Sequence, residues 1–378
     1  MDFQLNEDQV AMRDMARDFA AEKLKPHAVE WDQTKHFPMD VLREAAALGL
    51  GAINVSGAHG GSGLSRTEGV LIYEALASGC PSLTGYLSVH NMVAAMIDRF
   101  GSPAQCQRYL PDLVSMETFA SYCLTEPGSG SDAAALRTRA RRDGSYYVLD
   151  GQKQFISGAG SSGIYVVMAR TGADGPKGIS AFIVEEGMKG LGFGANERKM
   201  GWNAQPTRAV IMEGVRVPEA NRLGEEGAGF SIAMSGLDSG RLSIAACSLG
   251  GAQTAFDIAK SYVGERKAFG QKLNQFQNVQ FQLADMATEL EAARLLLWRA
   301  ADSYDRKDPN LTLHCAHAKR FVTDTGFSVA NRALQLLGGY GYLADYGIEK
   351  IVRDLRVHQI LEGANDIMRL IIGRSMLS

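Results

Sequence analysis

The spacing of the apolar residues changes twice along this chain, and that change constrains the fold more than any single motif. Apolar residues recur at helical spacing from Asn6 to about Val114. From about Thr118 they occur in short β-rich runs separated by Gly and Asp-Gly pairs. After Gly227 the helical spacing returns and continues towards the end of the chain. Helices repeat every 3.6 residues and strands every 2, so the pattern indicates helices, then a sheet, then helices again.

This pattern predicts three consecutive domains: an N-terminal all-α domain at 1–117, a middle β domain at 118–226 and a C-terminal four-helix bundle at 227–378. The strands predicted in the middle domain are 145–149, 164–168, 179–184 and 209–211. The helices predicted in the bundle are 230–263, 276–304, 311–337 and 348–376.

Composition and charge exclude several classes of function. The 39 basic and 42 acidic side chains give a net charge of −3, and no basic stripe would neutralise a nucleic-acid backbone. The five cysteines are widely spread and never spaced C-x-x-C, so we expect neither a disulfide framework nor a metal site. The chain opens like an amphipathic helix, not a signal peptide, and no apolar run reaches the roughly 18 residues of a membrane span. We expect an intracellular protein of a bacterial cytoplasm or, as a mature form, of the mitochondrial matrix.

A loop of glycines and hydroxyl residues follows an apparent strand, at Tyr122–Asp132. Glycines let the backbone approach a flat ring or a phosphate, and Thr125, Ser129 and Ser131 add donors without bulk. The loop lacks the G-x-G-x-x-G spacing of a dinucleotide fold and the lysine of a P-loop. It therefore predicts neither nicotinamide nor nucleoside triphosphate, and a plain turn explains it equally well.

Two further pairs of residues have both a structural and a functional interpretation. Phe155 and Ser157 are two apart on a predicted strand, so they share a face. The aromatic ring there would lie against a planar cofactor or fill the core. Asp238 and Arg241 are three apart on a predicted helix, where they would form an ion pair or anchor a long polar ligand.

Cation, amide and glycine residues occur at three other places in the predicted bundle: Arg266, Gln277 and the segment Gln335–Gly339. The forked guanidinium of Arg266 matches the oxygens of a pyrophosphate.

One glutamate near the end of the chain, Glu362, precedes Gly363 at the mouth of a helix. Because its neighbour has no side chain, its carboxylate can face a bound substrate closely, which makes Glu362 the candidate general base. The alternative is an exposed glutamate that complements the helix dipole. Glu126 and Glu226 are the rival carboxylates, and we expect a structural part for Glu126.

Seven segments, taken in order, resemble those of the acyl-CoA dehydrogenase family, and the resemblance covers essentially the whole chain. The segments are Y-C-L-T-E-P-G-S-G-S-D at 122–132, K-Q-F-I-S-G-A-G at 153–160, G-W-N-A-Q-P-T-R-A-V at 201–210, L-D-S-G-R at 237–241, E-R-K-A-F-G at 265–270, Q-L-L-G-G-Y-G-Y at 335–342 and Q-I-L-E-G-A-N-D at 359–366. The resemblance implies an acyl-CoA dehydrogenase-like fold and an FAD enzyme that removes the α and β hydrogens of an acyl-CoA thioester.

The resemblance also implies roles for particular residues. Those expected to line the isoalloxazine are Tyr122, Cys123, Leu124, Thr125, Gly130, Ser131, Phe155, Ile156 and Ser157. Those expected to hold the ADP portion, some across a subunit interface, are Arg266, Phe269, Phe276, Gln277, Gln335, Leu336, Gly338 and Gly339. Those expected beside the flavin are Ala364, Asn365 and Asp366. Those expected to contact the acyl-CoA are Ser131, Asp238, Ser239, Gly240, Arg241, Gly363 and Arg374.

Within the resemblance, Glu362 is the α-proton base, since Gly240 stands where isovaleryl-type and long-chain-type members carry theirs. The implied substrate is a short branched acyl-CoA, isobutyryl-CoA, which gives methacrylyl-CoA in valine degradation. Butyryl-CoA and 2-methylbutyryl-CoA remain open, because one methylene changes binding by only ~1–3 kcal/mol. Electron-transferring flavoprotein as acceptor and a homotetramer are further expectations. A non-catalytic acyl-CoA-binding protein and a flavin oxidase or monooxygenase on the same fold are the alternatives.

Overall fold

The computed structural model describes residues 4–377, whose elements follow the predicted order of helices, sheet and helices. The first six helices are α1 (Glu7–Phe19), α2 (Ala28–Thr34), α3 (Met39–Ala47), α4 (Arg66–Ala77), α5 (Pro81–Phe100) and α6 (Pro103–Val114). Asn6, Ser65 and Ser102 start α1, α4 and α6, and each exchanges hydrogen bonds with the residue three positions on. These capping boxes satisfy amides that would otherwise lack acceptors.

An eight-stranded sheet forms the middle of the chain. Its strands are β1 (Ala120–Cys123), β2 (Arg139–Asp143), β3 (Tyr146–Ser157), β4 (Ile164–Arg170), β5 (Ile179–Glu185), β6 (Leu191–Phe193), β7 (Thr207–Pro218) and β8 (Arg222–Leu223). They lie in the order β6-β7-β3-β2-β4-β5-β8, and β1 pairs with β4 in parallel. On β4, Val166 and Met168 pack with residues of α5 and α6, while Tyr165 and Val167 pack with residues of β3 and β7. Both faces of β4 are therefore buried, which explains its continuous apolar sequence.

The strand predicted at 145–149 continues further than expected, so its predicted end is wrong. The observed strand, β3, continues through Asp150-Gly151 to Ser157, with register shifts before Gly151 and before Ile156. Gly151 has φ 150°, and a Cβ at this residue would lie 2.8 Å from Thr138 Cα. The glycine thus makes a bulge within a strand, not a turn between two strands.

The last part of the chain is helical, but its fourth predicted helix is wrong. The elements are α7 (Gly229–Glu265), the hairpin β9 (Lys267–Ala268) and β10 (Gln271–Lys272), α8 (Gln277–Asp305), α9 (Leu311–Leu336), α10 (Ile348–His358) and α11 (Asn365–Leu377). The helix expected at 348–376 is thus two helices with a break between them. Glu362 and Gly363 in this break have φ values of 52° and 91°, which no right-handed helix accommodates. None of the helices within residues 4–377 is both long and apolar enough to cross a membrane.

One large core joins the first helices to the last. Tyr73 and Leu76 of α4, Leu249 of α7 and Val322 of α9 are all fully buried in it. A Cβ on Gly250 of α7 would overlap the backbone of α4, so the glycine allows these two helices to approach closely. The three helices α4, α7 and α9 also carry the charged residues that surround Glu362.

Candidate functional site

The site is centred on the break between α10 and α11. Gln359 follows α10, its carbonyl accepts the N–H of Asn365 at 3.0 Å, and α11 begins there. Between these two residues the chain passes through Glu362 and Gly363 with left-handed backbone angles. A glutamate rarely adopts such angles, and residues that do so are enriched at functional sites.

The carboxylate of Glu362 is buried against the middle of α7. A Cβ on Gly240 would lie 2.9 Å from Glu362 Cδ and would overlap Oε2, so only a glycine leaves room here. Glu362 Oε2 has no hydrogen-bond partner within residues 4–377. Burial raises the pKa of Glu362 to about 7, although the positive charges of Lys319, Arg241 and Arg66 act in the opposite direction.

The side chain of Arg241 forms the predicted ion pair with Asp238. Arg241 Nη1 donates to Asp238 Oδ1 at 2.6 Å, and the other oxygen of Asp238 accepts from the Thr312 hydroxyl at 2.8 Å. Arg241 Nε is buried and has no partner within residues 4–377. The pair therefore holds Arg241 beside Gly363, since a Cβ on that glycine would lie 3.7 Å from Nε. The neighbouring Ser239 is buried on α7.

A lysine that the sequence did not single out lies beneath the break. Lys319 on α9 is fully buried, and its ammonium donates to the Gly363 carbonyl at 2.6 Å and to Asn365 Oδ1 at 2.8 Å. Burial lowers the pKa of Lys319 to about 7, against the attraction of Glu362. Its position shares the buried face of α9 with Cys315 and Val322. The sequence contains a signal for this residue, because a lysine among the apolar residues of one helical face is unusual and indicates a special role.

Three other polar side chains near Glu362 carry a buried atom without a partner within residues 4–377: Arg66 Nε, Tyr73 OH and Tyr122 OH. Arg66 and Tyr73 lie on α4, two turns apart. Burial raises the pKa of both tyrosines, and the negative charge of Glu362 contributes in each case. Of the three, the sequence indicated only Tyr122.

The Gly/Ser loop starts at the end of β1. Cys123 and Leu124 are buried, Thr125 is half-buried, and Gly130 and Ser131 are exposed. Two hydrogen bonds between Glu126 and Ser129 close the turn. A Cβ on Gly130 would meet no atom within 4 Å, so the loop has open space beside it.

Phe155 lies in an irregular part of β3, and Ser157 ends the strand. The φ of Phe155 is 59° at the second irregularity of β3, and its side chain is 64% exposed, whereas Ile156 is buried. The register of β3 shifts here, between Lys153 and Ile156, so the strand carries a bulge at this point. A filled core position is wrong, since the ring is exposed.

A cavity of about 490 Å³ lies at the far end of α9, away from Glu362. It brings together residues that are distant in sequence: Arg266, Gln335, Leu336, Gly338 and Gly339, with Tyr262 and Tyr340. The guanidinium of Arg266 lies over the Tyr340 ring, 5.6 Å from its centroid. Gln335 is sixteen residues from Lys319 on the same helix. At 1.5 Å per residue these two positions are about 24 Å apart.

Other predicted site residues lie outside these two groups. Phe269 is 94% exposed and its ring is 6.3 Å from that of Phe276, while Gln277 is exposed at the start of α8. Asp366 pairs with Arg369 on the surface of α11. Arg374 is exposed in the last turn of α11, about 14 Å along the helix from Asn365. Ala364 is half-buried beside Asn365, whose side chain donates to Asp324 of α9.

The arrangement of helices, sheet and helices, with a buried carboxylate at a break near the end, corresponds to a known class of protein. Family models match residues 6–117, 121–215 and 227–377, and their descriptions are acyl-CoA dehydrogenase N-terminal, middle and C-terminal domain. The chain therefore belongs to the acyl-CoA dehydrogenase family, whose members are oxidoreductases. The predicted family and fold class are confirmed.

Individual members of the family are similar to this chain over nearly its whole length. The mitochondrial isobutyryl-CoA dehydrogenase of Dictyostelium discoideum is 55% identical over 373 residues, which are 98% of this chain and 90% of that protein. The structure of butyryl-CoA dehydrogenase from Megasphaera elsdenii is 36% identical, covers all of both chains and has a TM-score of 0.97. The FAD complex of PigA is 29% identical, covers 100% of this chain and 99% of its own, and has a TM-score of 0.96. The prediction of FAD as cofactor is thus confirmed at the level of the family.

Proposed function

We propose that the chain is an FAD-dependent acyl-CoA dehydrogenase in which Glu362 removes the α-proton of isobutyryl-CoA, which becomes methacrylyl-CoA as in valine degradation. One observation carries the proposal. The carboxylate of Glu362 is buried, lacks a partner for Oε2 within residues 4–377 and has its pKa raised to about 7. A carboxylate with this pKa is a stronger base than an exposed one and still releases its proton near neutral pH.

The chain would assist this proton transfer in two ways. The backbone N–H of Glu362 donates to no acceptor within residues 4–377. It would stabilise the thioester carbonyl oxygen as negative charge develops on it, which makes the α-proton acidic enough to remove. Gly240 leaves the side of the carboxylate free of a competing side chain. FAD, held beside Gly130 and Phe155, would supply the acceptor for the β-hydrogen, which leaves as a hydride.

The residues present fit FAD in two separate parts. The open space beside Gly130 and the exposed ring of Phe155 suit the flat isoalloxazine. The cavity with Arg266, Gln335 and the glycine pair suits the ADP portion, because a guanidinium and side-chain-free backbone can both contact phosphates. Within one chain, that cavity lies about 24 Å along α9 from Lys319, which lies beneath the break that carries Glu362. This separation supports an oligomer, a homotetramer in our proposal, in which a second copy completes each site.

The proposed substrate rests on the D. discoideum relative and on the surroundings of Glu362. Two bulky rings, Tyr73 and Tyr122, lie close enough to interact with its charge, which favours a short acyl group. Asp238, Ser239, Arg241, Gly363 and Ser131 would contact the rest of the acyl-CoA, and Arg374 its nucleotide. Electron-transferring flavoprotein is the proposed acceptor. The mitochondrial name of the relative supports the matrix as the compartment.

The first experiment is an anaerobic titration of the purified protein with isobutyryl-CoA, butyryl-CoA, isovaleryl-CoA and 2-methylbutyryl-CoA, followed by flavin absorbance. We expect fast bleaching with a preference for isobutyryl-CoA. A colourless protein that takes up no flavin contradicts the whole proposal. Bound flavin that none of the four bleaches contradicts the reaction, and release of hydrogen peroxide in air indicates an oxidase instead.

The variant Glu362→Gln tests the base. It should keep the bound flavin and bind acyl-CoA, because the shape of the side chain is preserved, but flavin reduction should slow by roughly 10²–10⁴-fold. Stopped-flow absorbance measures this rate. Reduction at the wild-type rate would assign the proton transfer to another residue.

A further inference from the structure

Lys319 differs from the other fully buried lysines of residues 4–377 in what its ammonium contacts. Lys153 and Lys350 each contact a carboxylate, that of Glu126 at 2.8 Å and that of Asp354 at 2.6 Å. Lys319 has no carboxylate oxygen within 4.0 Å in that part of the chain, and its charge is instead directed at a carbonyl and an amide oxygen. A buried ammonium without an ionic partner is costly, so its retention calls for an explanation at this place.

Lys319 contacts the chain at two points, one at the end of the left-handed pair Glu362-Gly363 and one at the first residue of α11. Its Nζ donates to the Gly363 carbonyl and to Asn365 Oδ1. Asn365 Nδ2 in turn donates to the Thr323 hydroxyl at 2.9 Å and to Asp324 Oδ1 at 2.7 Å. Gln359, at the other end of the break, donates to the same Asp324 oxygen at 2.8 Å. One face of α9 therefore holds both ends of the break.

The break needs this support because, within residues 4–377, a single backbone hydrogen bond spans it, from the Asn365 N–H to the Gln359 carbonyl. Glu362 and Gly363 have consecutive left-handed angles, and for a glutamate that conformation is unfavourable. Without an external bond to the Gly363 carbonyl, the segment would be free to move Glu362 away from Gly240. Since reacting groups must be positioned to within a fraction of an ångström, such movement would affect the reaction.

We propose that Lys319 is a positioning residue for Glu362: by bonding to the Gly363 carbonyl and the Asn365 side chain, it fixes the break so that the carboxylate stands against Gly240. This inference rests on the proposed function of Glu362. Within residues 4–377, the Lys319 ammonium bonds to the Gly363 carbonyl and the Asn365 side chain and not to the Glu362 carboxylate. Its ammonium acts on the backbone that carries the base.

The charge of Lys319 adds an electrostatic effect that can be measured. The groups that interact electrostatically with the Glu362 carboxylate are Lys319 from α9, Arg66 and Tyr73 from α4, Arg241 and Cys247 from α7, and Tyr122 from β1. Those that act on Lys319 are Glu362, Arg241 and Asp324, and Lys319 in turn acts on the buried His358 of α10. Among the cations, the influence of Lys319 on Glu362 is the largest. Its removal should therefore raise the pKa of Glu362.

The test compares Lys319→Met and Lys319→Gln with the wild type and with Lys350→Gln as the control. Lys350 is equally buried but belongs to α10, where it contacts Asp354 and Cys80 and not the break. The rate of flavin reduction by isobutyryl-CoA is measured per bound flavin between pH 6 and 9. Affinity for a thioether analogue of isobutyryl-CoA that cannot be dehydrogenated is measured in parallel.

For Lys319→Met we expect unchanged affinity for the analogue, a rate lower by roughly ten- to a hundredfold, and a pH midpoint moved upwards. Lys319→Gln, which keeps a donor but no charge, should show the same shift of midpoint with a smaller loss of rate. If Lys319→Met does not fold, Lys319→Gln decides alone. Variants that lose only thermal stability, like Lys350→Gln, while keeping the wild-type rate and midpoint, would overturn the inference.

A second measurement works without turnover. The infrared band of the Glu362 carboxylate is isolated by subtracting the spectrum of Glu362→Gln, and it is titrated in wild type and in Lys319→Gln. We expect the band of the ionised form to appear at higher pH in the variant. An identical titration overturns the inference. If the wild-type flavin is not reduced by any acyl-CoA, the proposed function fails, and the infrared titration still decides on Lys319.

Discussion

Two glutamates, the buried Glu126 in the sheet region and the half-buried Glu362 with its buried Oε2 in the helical region, show what the same side chain does in different surroundings. The carboxylate of Glu126 accepts from Arg137 N at 2.6 Å, Thr138 N at 2.9 Å and Lys153 Nζ at 2.8 Å. The carboxylate of Glu362 has no partner for Oε2 within residues 4–377. The carboxylate of Glu126 thus ties the segment before β2 to Lys153 of β3, whereas Oε2 of Glu362 is free to accept from a ligand.

Their pKa values move in opposite directions for that reason. Burial alone would raise the pKa of Glu126, but the ammonium of Lys153 and the hydrogen bonds outweigh it and hold the pKa below its usual value. For Glu362, burial dominates and raises the pKa to about 7. Hydrogen bonds to the charged form, which Glu126 accepts and Glu362 Oε2 does not within residues 4–377, thus separate a stabilising ion from the base that we propose.

The largest effect that follows from this comparison concerns Glu126→Gln. The substitution leaves the ammonium of Lys153 buried without its counter-charge, which typically costs ~3–5 kcal/mol. Urea denaturation at pH 8 should show a loss of that size, with less flavin retained, because the Glu126 carboxylate also accepts from Arg137 N and Thr138 N, just after the Gly/Ser loop. The double variant Glu126→Gln/Lys153→Met should recover part of the loss. An unchanged free energy of unfolding would mean that the pair contributes no net stability.

A smaller effect, on the rate of flavin reduction, is expected when a side chain is added at Gly240, next to the Glu362 carboxylate. In Gly240→Ala the added Cβ would overlap Oε2, and the carboxylate must rotate away. We expect flavin reduction to slow by roughly ten- to a hundredfold with flavin content unchanged, because a displacement of about 1 Å is enough for such a loss. Gly264→Ala on the same helix is the matched control, since its Cβ would meet only Asn274 Nδ2, at 3.8 Å. Equal rates in both variants would contradict the arrangement at Gly240.

The sequence predicted the order of helices, sheet and helices, and it offered Glu362 as the candidate base, because both inferences depend on local patterns. The period of the apolar residues separated helices from strands, and the glycine beside Glu362 marked it as a candidate base. The break between α10 and α11 was not predictable in this way, since the apolar spacing continues across it. It is held by Lys319 and Asp324, which are distant in sequence.

The same reason applies to the other failures. The bulge of β3 at Phe155, opposite β7, was not predicted, and the ring is exposed instead of filling a core position. The separation of Arg266 from Glu362 depends on the packing of three long helices, not on any local pattern. Local sequence therefore identified the chemical groups, while their distances and burial came from tertiary contacts.

The smallest expected effect sharpens the comparison through the pH dependence of stability. Because the folded state raises the pKa of Glu362, the contribution of this group to stability is full below its unfolded value of 4.5 and is lost as pH rises to about 7. Glu362→Gln should therefore be more stable than wild type at pH 8, by about 1–3 kcal/mol, with the difference shrinking towards pH 5.

Glu126 has the opposite sign, because its folded pKa is lowered: its stabilisation is present above pH 4.5 and is lost as pH falls through the lower folded value. Glu126→Gln should accordingly remain less stable than wild type from pH 8 down to pH 5. Urea denaturation of the three proteins across this range separates the two carboxylates. If Glu362→Gln were the less stable protein at pH 8, the carboxylate would have a compensating partner, and its role as an unpaired base would be contradicted.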